Sequence, residues 1–343
     1  MGSIDRFDSD LHNFQMKARV ENGRVIKNRS LFCEYSLYSS SSSFRKKIDE
    51  LFPKLEILPY LNFDISTFDP TLGDQSYDFL KVSKIEREIK NSEVEQIGVV
   101  LAVMNFLGVA DLHKTNILFG SNDEKTIFAP IDLECFFQHF YSNDVAFYPE
   151  IKTHLKCCSG VAQFLDYLTN YPDELFFVKL YYGYKEAMRK ILENKVVLHE
   201  LFLKQAKRAR VPTRVVIKPT NVYAQYLGRT DIKIFINEEN LQLIRNDIPY
   251  FFSFLDEPNS LYYWLDKFNY RKVEDFKLIK RVFSKGSLGI SSDLSFYLFR
   301  NLIKLTSTSK KNYIGSYRGI QLIKKKDHYI LIEGNEINVI RNK

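Results

Sequence analysis

Between Gly108 and Phe137 stands GVADLHKTNILFGSNDEKTIFAPIDLECFF, whose polar residues are of the types that handle a hydroxyl, a phosphate and a hard cation. Asp111, His113 and Asn116 precede an apolar Ile-Leu-Phe, and Asp132 and Glu134 follow a second apolar stretch. Such a set suits phosphoryl transfer. One carboxylate beside an attacking hydroxyl can take its proton. Asp and Asn oxygens, rather than thiols, are what Mg²⁺ prefers.

The spacing sharpens this. In protein kinases a catalytic-loop Asp accepts the hydroxyl proton, an Asn five positions later holds Mg²⁺, and a downstream Asp binds the metals that bridge the phosphates. Asp111 and Asn116 have that separation, with Asp132 as the second metal ligand. A cation for the nucleotide phosphates is usually a strand lysine well upstream, a role that Lys27 fits. Its carboxylate partner is harder to place. Glu86 and Glu88, on one helical stretch, are the candidates, with Glu86 preferred. No GxGxxG loop precedes Lys27, so the pattern is that of an atypical kinase. DLHxxN followed by IDxE also occurs in aminoglycoside and choline kinase-like enzymes, so these residues alone do not choose a substrate.

The elements that must position these groups follow from periodicity. KARVEN and RVIKNRSLFCEY read as two strands around Asn22-Gly23, a strong hairpin signal that puts Lys27 on a strand. After the serines at 39–43, which serve as a cap, FRKKIDELFPKL carries apolar residues at helical spacing. Pro53, Pro59 and Pro70 punctuate a loop-rich stretch, and a helix follows over 94–108. Two short strands bracket the turn inside the Asp111–Glu134 block. Residues 160–210 are helical, and the second half is expected to be mainly α. The last residues, GIQLIKKKDHYILIEGNEINVIRNK, alternate as a small β meander. The expected class is α+β, an atypical protein/lipid-kinase-like two-lobed fold: a mixed upper lobe over 1–105, a mainly helical lower lobe over 106–300, and a β-rich tail over 301–343.

Composition bounds the rest. The 343 residues are 45% hydrophobic and 27% charged, which excludes collagen-like, disulfide-scaffold and wholly disordered chains. A net charge of +7 favours anionic ligands without marking a nucleic-acid surface, and no nucleic-acid partner is expected. The most apolar stretch, 97–110, is too short for a bilayer, and the charged N-terminus lacks a secretory core, so a cytoplasmic protein without a membrane span is expected. Cys33, Cys135, Cys157 and Cys158 show no zinc-module spacing and read as reduced structural thiols.

Several ordered segments resemble the dehydratase domain of class II lanthipeptide synthetases. SDLHN at 9–13 resembles that family's GDxH segment, VIKNRSL at 25–31 its YKPRSL, and ADLHKTN and IDLE its TDLHxEN and IDLE. RVVIKPTNVY at 214–223 resembles its R-x5-T-x2-Y segment, and NDIPYF at 246–251 its GDIPYF. The resemblance covers roughly residues 9–300. It implies ATP- and Mg²⁺-dependent phosphorylation of Ser and Thr in a ribosomal precursor peptide, followed by elimination of phosphate to leave dehydroalanine or dehydrobutyrine. By motif match Lys27, Asp111, His113, Asn116, Asp132 and Glu134 would serve phosphorylation, with Lys27, Glu86 and Glu134 toward the nucleotide. Asp10, His12, Arg214 and Thr220 match positions associated with elimination. The segment between Asp10 and Lys27 is about five residues shorter than the family pattern, and Asn28 stands where Pro is usual. The family's long N-terminal region and its cyclase have no counterpart here, so a separate cyclase or another partner protein is expected to supply them. Phosphorylation without elimination, and a pseudokinase scaffold of a peptide-modifying complex, are the alternatives; the intact Lys27, Asp111, Asn116 and Asp132 set weighs against the scaffold.

Overall fold

A computed structural model of the protein describes residues 14, 16–65, 73–109, 112, 114–136, 161–217, 220–229, 236–274, 314–325 and 328–341. It is a mixed α+β structure with antiparallel sheets.

The chain opens with the expected hairpin. β1 (Arg19–Glu21) and β2 (Arg24–Lys27) pair through a turn in which Asn22 and Gly23 both have positive φ, the geometry that matches strand twist and that Asn-Gly adopts most readily. The strand ends at Lys27, sooner than the sequence suggests. Phe32–Tyr38 is a helix, α1, because burying Phe32, Cys33, Leu37 and Tyr38 in the main core outweighs the β-like look of RSLFCEY. α2 (Ser43–Leu51) begins at Ser42, whose hydroxyl accepts from the Arg45 N–H at 3.2 Å, as a helix cap should. β3 (Phe63–Asp64) and β4 (Gln75–Asp78) complete a four-stranded sheet in the order β1-β2-β4-β3, with Lys27 opposite Gln75.

Residues 79–90 are not helical, although Ile85 and Ile89 have helical spacing. Ser83 instead forms a bridge to Ser121 with two 2.8 Å backbone hydrogen bonds. α3 (Asn91–Phe106) follows, and its entry is fixed by Glu93, which accepts from the Lys90 N–H and from Arg87. A 3₁₀ turn (Lys114–Asn116) leads into the two-stranded hairpin of β5 (Ile117–Asn122) and β6 (Lys125–Pro130).

The helical section comprises α4 (Val161–Asn170), α5 (Phe176–Glu193), α6 (Lys195–His199), a π-helical turn (Glu200–Lys204) and α7 (Gln205–Arg208). The next stretch departs from the mainly helical expectation. β7 (Pro212–Val215) precedes α8 (Thr220–Ala224) and α9 (Asn237–Ile244), and then come β8 (Phe251–Phe254), β9 (Glu257–Trp264) and β10 (Tyr270–Lys272), giving a sheet in the order β10-β9-β8-β7. All four residues of β8 are buried, so the strand lacks the alternation that identifies a half-exposed one. The chain closes with the expected meander, β11 (Ile314–Tyr317), β12 (Ile320–Lys324), β13 (His328–Glu333) and β14 (Glu336–Arg341), whose inner residues Ile320, Tyr329, Leu331 and Ile340 pack on Val178 and Tyr181 of α5. No helix among the described residues is long and apolar enough to cross a membrane.

The largest apolar cluster runs from Phe32 to Val211 and has the α3–α5 crossing at its centre. Two glycines permit that crossing. A Cβ on Gly98 would lie 2.2 Å from the Leu180 carbonyl, and one on Gly183 would lie 2.0 Å from the Glu95 carbonyl. Asn105, the one polar residue in the apolar run of α3, donates to the buried Tyr184 hydroxyl at 2.5 Å. Gly183→Ala should therefore lower stability by at least ~2 kcal/mol in chemical denaturation, since two backbones must separate to admit one methyl group. An unchanged unfolding midpoint would mean that the helices do not cross this closely.

Candidate functional site

β2 carries Lys27 into the interior, where it is only 6% exposed. A buried ammonium needs carboxylates. Its Nζ lies 2.6 Å from Asp132 Oδ1 and 3.6 Å from Glu34 Oε1. Asp132 follows β6 and has φ of +59°, a left-handed conformation tolerated by Asp. This turn directs its carboxylate to the cluster while leaving the side chain 40% exposed. The expected partner Glu86 takes no such place: it is exposed on the non-helical stretch before α3, and Glu34, on the first turn of α1, sits beside Lys27 instead.

Arg29 is the second residue that motif reasoning left without a role. Its Nη2 reaches Glu34 Oε1 at 2.5 Å and Asp132 Oδ1 at 2.8 Å, and its Nε lies 3.5 Å from Glu134 Oε2. Glu134 in turn accepts from Arg214, whose guanidinium also stands 5.1 Å from the centre of the Tyr250 ring. Arg214 belongs to β7, and its N–H donates to the Glu134 carbonyl at 3.0 Å, so the Ile131–Glu134 segment extends onto the β7–β10 sheet. Three cations, Lys27, Arg29 and Arg214, thus meet three carboxylates, Glu34, Asp132 and Glu134, in one network. The sole local signal for the new pair was the five-residue step from Arg29 to Glu34.

The network sets the charge states. Burial alone would push the Glu34 carboxyl up, but Arg29 and Lys27 more than reverse this and hold it below the ordinary range. Burial acts the same way on Asp132, and Lys27 and Arg29 bring its carboxyl well below a normal carboxylate. For Lys27 burial disfavours the cation, yet Asp132 opposite raises it above an ordinary lysine. Arg29 is raised too: Glu34, Asp132 and Glu134 overcome its burial. All four are charged at neutral pH.

Asn116 is buried at the open end of the β5–β6 hairpin, where its carbonyl accepts from the Ile131 N–H at 2.8 Å, one residue before Asp132. The hairpin therefore brings Asn116 and Asp132 together. Two hard oxygen donors, with phosphate and water oxygens completing the shell, are what Mg²⁺ commonly takes from a protein. Among the described residues no group of three or more His, Cys, Asp or Glu side chains is placed to hold a metal by itself.

Beside this network is a narrow recess of about 30 Å³ between the β1–β4 sheet and the β5–β6 hairpin. Its walls are apolar, with Val25, Tyr77, Leu80, Leu118, Ala129 and Ile131 among the lining residues, and Glu34 lies at its polar side. An apolar lining of this kind suits the face of a heteroaromatic ring, which would have to part the two walls to enter.

The remaining sequence-derived residues divide. Asp10, His12, Asp111 and His113 lie outside the described residues, as do Cys157 and Cys158. Thr220 opens α8, and its side chain is likewise outside them. The neighbouring Phe14 is placed, however. Its N–H donates to Asp247 Oδ2 at 3.0 Å, and its ring stacks under Arg245, so the residue just after SDLHN meets the first acid of DIPYF. Cys33 and Cys135 are buried, and neither forms a disulfide among the described residues. No protein-family model matches the sequence, and no curated protein matches it.

Proposed function

We propose that the protein is an ATP- and Mg²⁺-dependent dehydratase of the lanthipeptide type, built on a kinase-like two-lobed fold. It phosphorylates Ser and Thr of a ribosomal precursor peptide in the cytoplasm and then eliminates the phosphate. The observation that carries this reading is the Lys27–Asp132 contact. It joins two motifs 105 residues apart at the side of an apolar slot, the arrangement that a nucleotide with its base in the slot and its phosphates at the cations would need.

In this reading the base lies against Val25, Leu118 and Ala129, and the phosphates meet Lys27. Asn116 and Asp132 hold Mg²⁺, which supplies charge neutralisation on the transferring phosphate. Asp111 takes the hydroxyl proton. Glu34 and Arg29 hold Lys27 and Asp132 in register without touching the reacting atoms. Elimination requires removal of the Cα proton and stabilisation of the departing phosphate. Arg214, always charged and fork-shaped, suits the second task, and its contact with Glu134 places it in the same network as Asp132. Asp10, His12, His113 and Thr220 are assigned by resemblance.

Intact-mass spectrometry of a precursor peptide co-expressed with the protein tests the reading. Phosphorylation adds ~80 Da and dehydration removes ~18 Da per site, by the composition of the groups gained and lost. Loss of water by the wild-type product is expected. With Arg214→Met, elimination should slow by at least ~10²-fold and phosphopeptide should accumulate. Joint loss of both steps in a folded Arg214→Met protein would reassign Arg214 to substrate binding, and phosphopeptide from wild type would make the enzyme a kinase alone.

A further inference from the structure

The C-terminal meander has a second face that no step of the proposed reaction uses. Strand alternation sends Ile320, Leu322, Tyr329, Leu331 and Ile340 inward onto α5 and the opposite set outward. Register aligns Ile323, Ile330 and Val339 as one outward row across three strands, and Ile332 and Ile337 lie side by side in the next. Val339 is 53% and Ile337 67% exposed, on a strand that pairs only with β13 among the described residues. Five contiguous β-branched aliphatic positions on one open sheet face are the composition of a contact surface rather than of ordinary scattered apolar exposure.

Charge says what covers it. On the other side of the Ile323–Ile330–Val339 row, pairing brings Lys325, His328 and Arg341 into line. No outward position of β12, β13 or β14 holds an acid; Glu333 and Glu336 fall on the inward parity, and Glu333 pairs with Lys185 of α5. The sequence over 301–343 has nine Lys and Arg against three Asp and Glu, which is +6 of the chain's +7.

We infer that the outer face of the meander docks an acidic, amphipathic polypeptide segment, its aliphatic side chains on the Ile323–Ile337 rows and its carboxylates along the basic Lys325–His328 edge. An anionic bilayer is a poorer match, because the outward apolar residues are short and β-branched and no aromatic anchor stands among them. The inference is independent of the reaction proposed above.

Fluorescence anisotropy with the full chain tests it. The probe is a labelled, end-capped peptide alternating Glu and Val; the controls alternate Glu with Ser or Lys with Val, and a fourth sample is phosphatidylserine vesicles. Saturable binding of the Glu-Val peptide is expected, weakened about tenfold or more by Lys325→Glu and by Ile337→Ser with Val339→Ser. These exposed positions should leave the melting temperature unchanged, which separates lost contact from lost fold. Equal binding of the Glu-Ser peptide would reduce the face to non-specific charge. Binding of the vesicles alone, or of no peptide, would overturn the proposal.

Discussion

Asp132→Asn is expected to abolish phosphorylation of a peptide substrate, by ~10³-fold or more, while the protein stays folded. The carboxylate is the meeting point of Lys27 and Arg29, and it is also the most exposed member of the network. Removing its charge takes an anionic oxygen from the proposed metal site, yet leaves the two cations within reach of water and of Glu34. Activity should therefore fall much further than stability. Intact mass of the peptide and ATP turnover measure the first, and thermal melting the second. Undiminished phosphorylation would remove Asp132 from the active centre and, with it, the metal assignment.

Glu34→Gln should show the reverse emphasis, with a loss of ~3–5 kcal/mol in denaturant unfolding. The side chain is 1% exposed, and it accepts from Arg29, lies near Lys27 and takes the Leu133 N–H at 3.2 Å. Glutamine keeps the shape and an acceptor for that N–H, so the loss isolates the missing charge beside two buried cations that must then share Asp132. The pH dependence follows in sign. The Glu34 and Asp132 carboxyls are held below their ordinary range, so their contribution is fully present above the unfolded carboxylate values near ~4 and is lost as pH falls through the folded ones. Wild type should lose stability on acidification below ~4, and Glu34→Gln should lose less over the same window. A destabilisation under ~1 kcal/mol would show that Glu34 does not hold the two cations.

What could be read in advance was what local chemistry determines. Asn22-Gly23 turns a hairpin whatever surrounds it, Ser42 caps α2, and the alternation after Gly319 yields a meander. The two short strands read around the Asn122–Lys125 turn do pair, which puts Asn116 and Asp132 at one end of a hairpin. α1 was hidden because a seven-residue helix without a capping side chain exists only through its packing. β8 was hidden because FFSF is buried on both faces and carries no period. The carboxylate beside Lys27 is illegible in the sequence for a related reason: Ile85 and Ile89 imitate a helix around Glu86, whereas Glu34 is named only by a contact formed once α1 has folded against β2.

The segment Ile131–Glu134 is fastened at both ends, to the Asn116 carbonyl on the hairpin side and to the Arg214 N–H on the sheet side. This bears on modularity. A shortened protein ending after α7 would keep Lys27, Arg29, Glu34 and Asp132, but it would strip Glu134 of Arg214 and its carbonyl of a donor, leaving the carboxylate to the longer, 3.5 Å approach of Arg29 beside Asn116 and Asp132. The boundary of a minimal unit that keeps this network therefore cannot be drawn at residue 211, however natural the break between helices and strands looks there, and any transplant of the first half must carry β7 and the strands that support it.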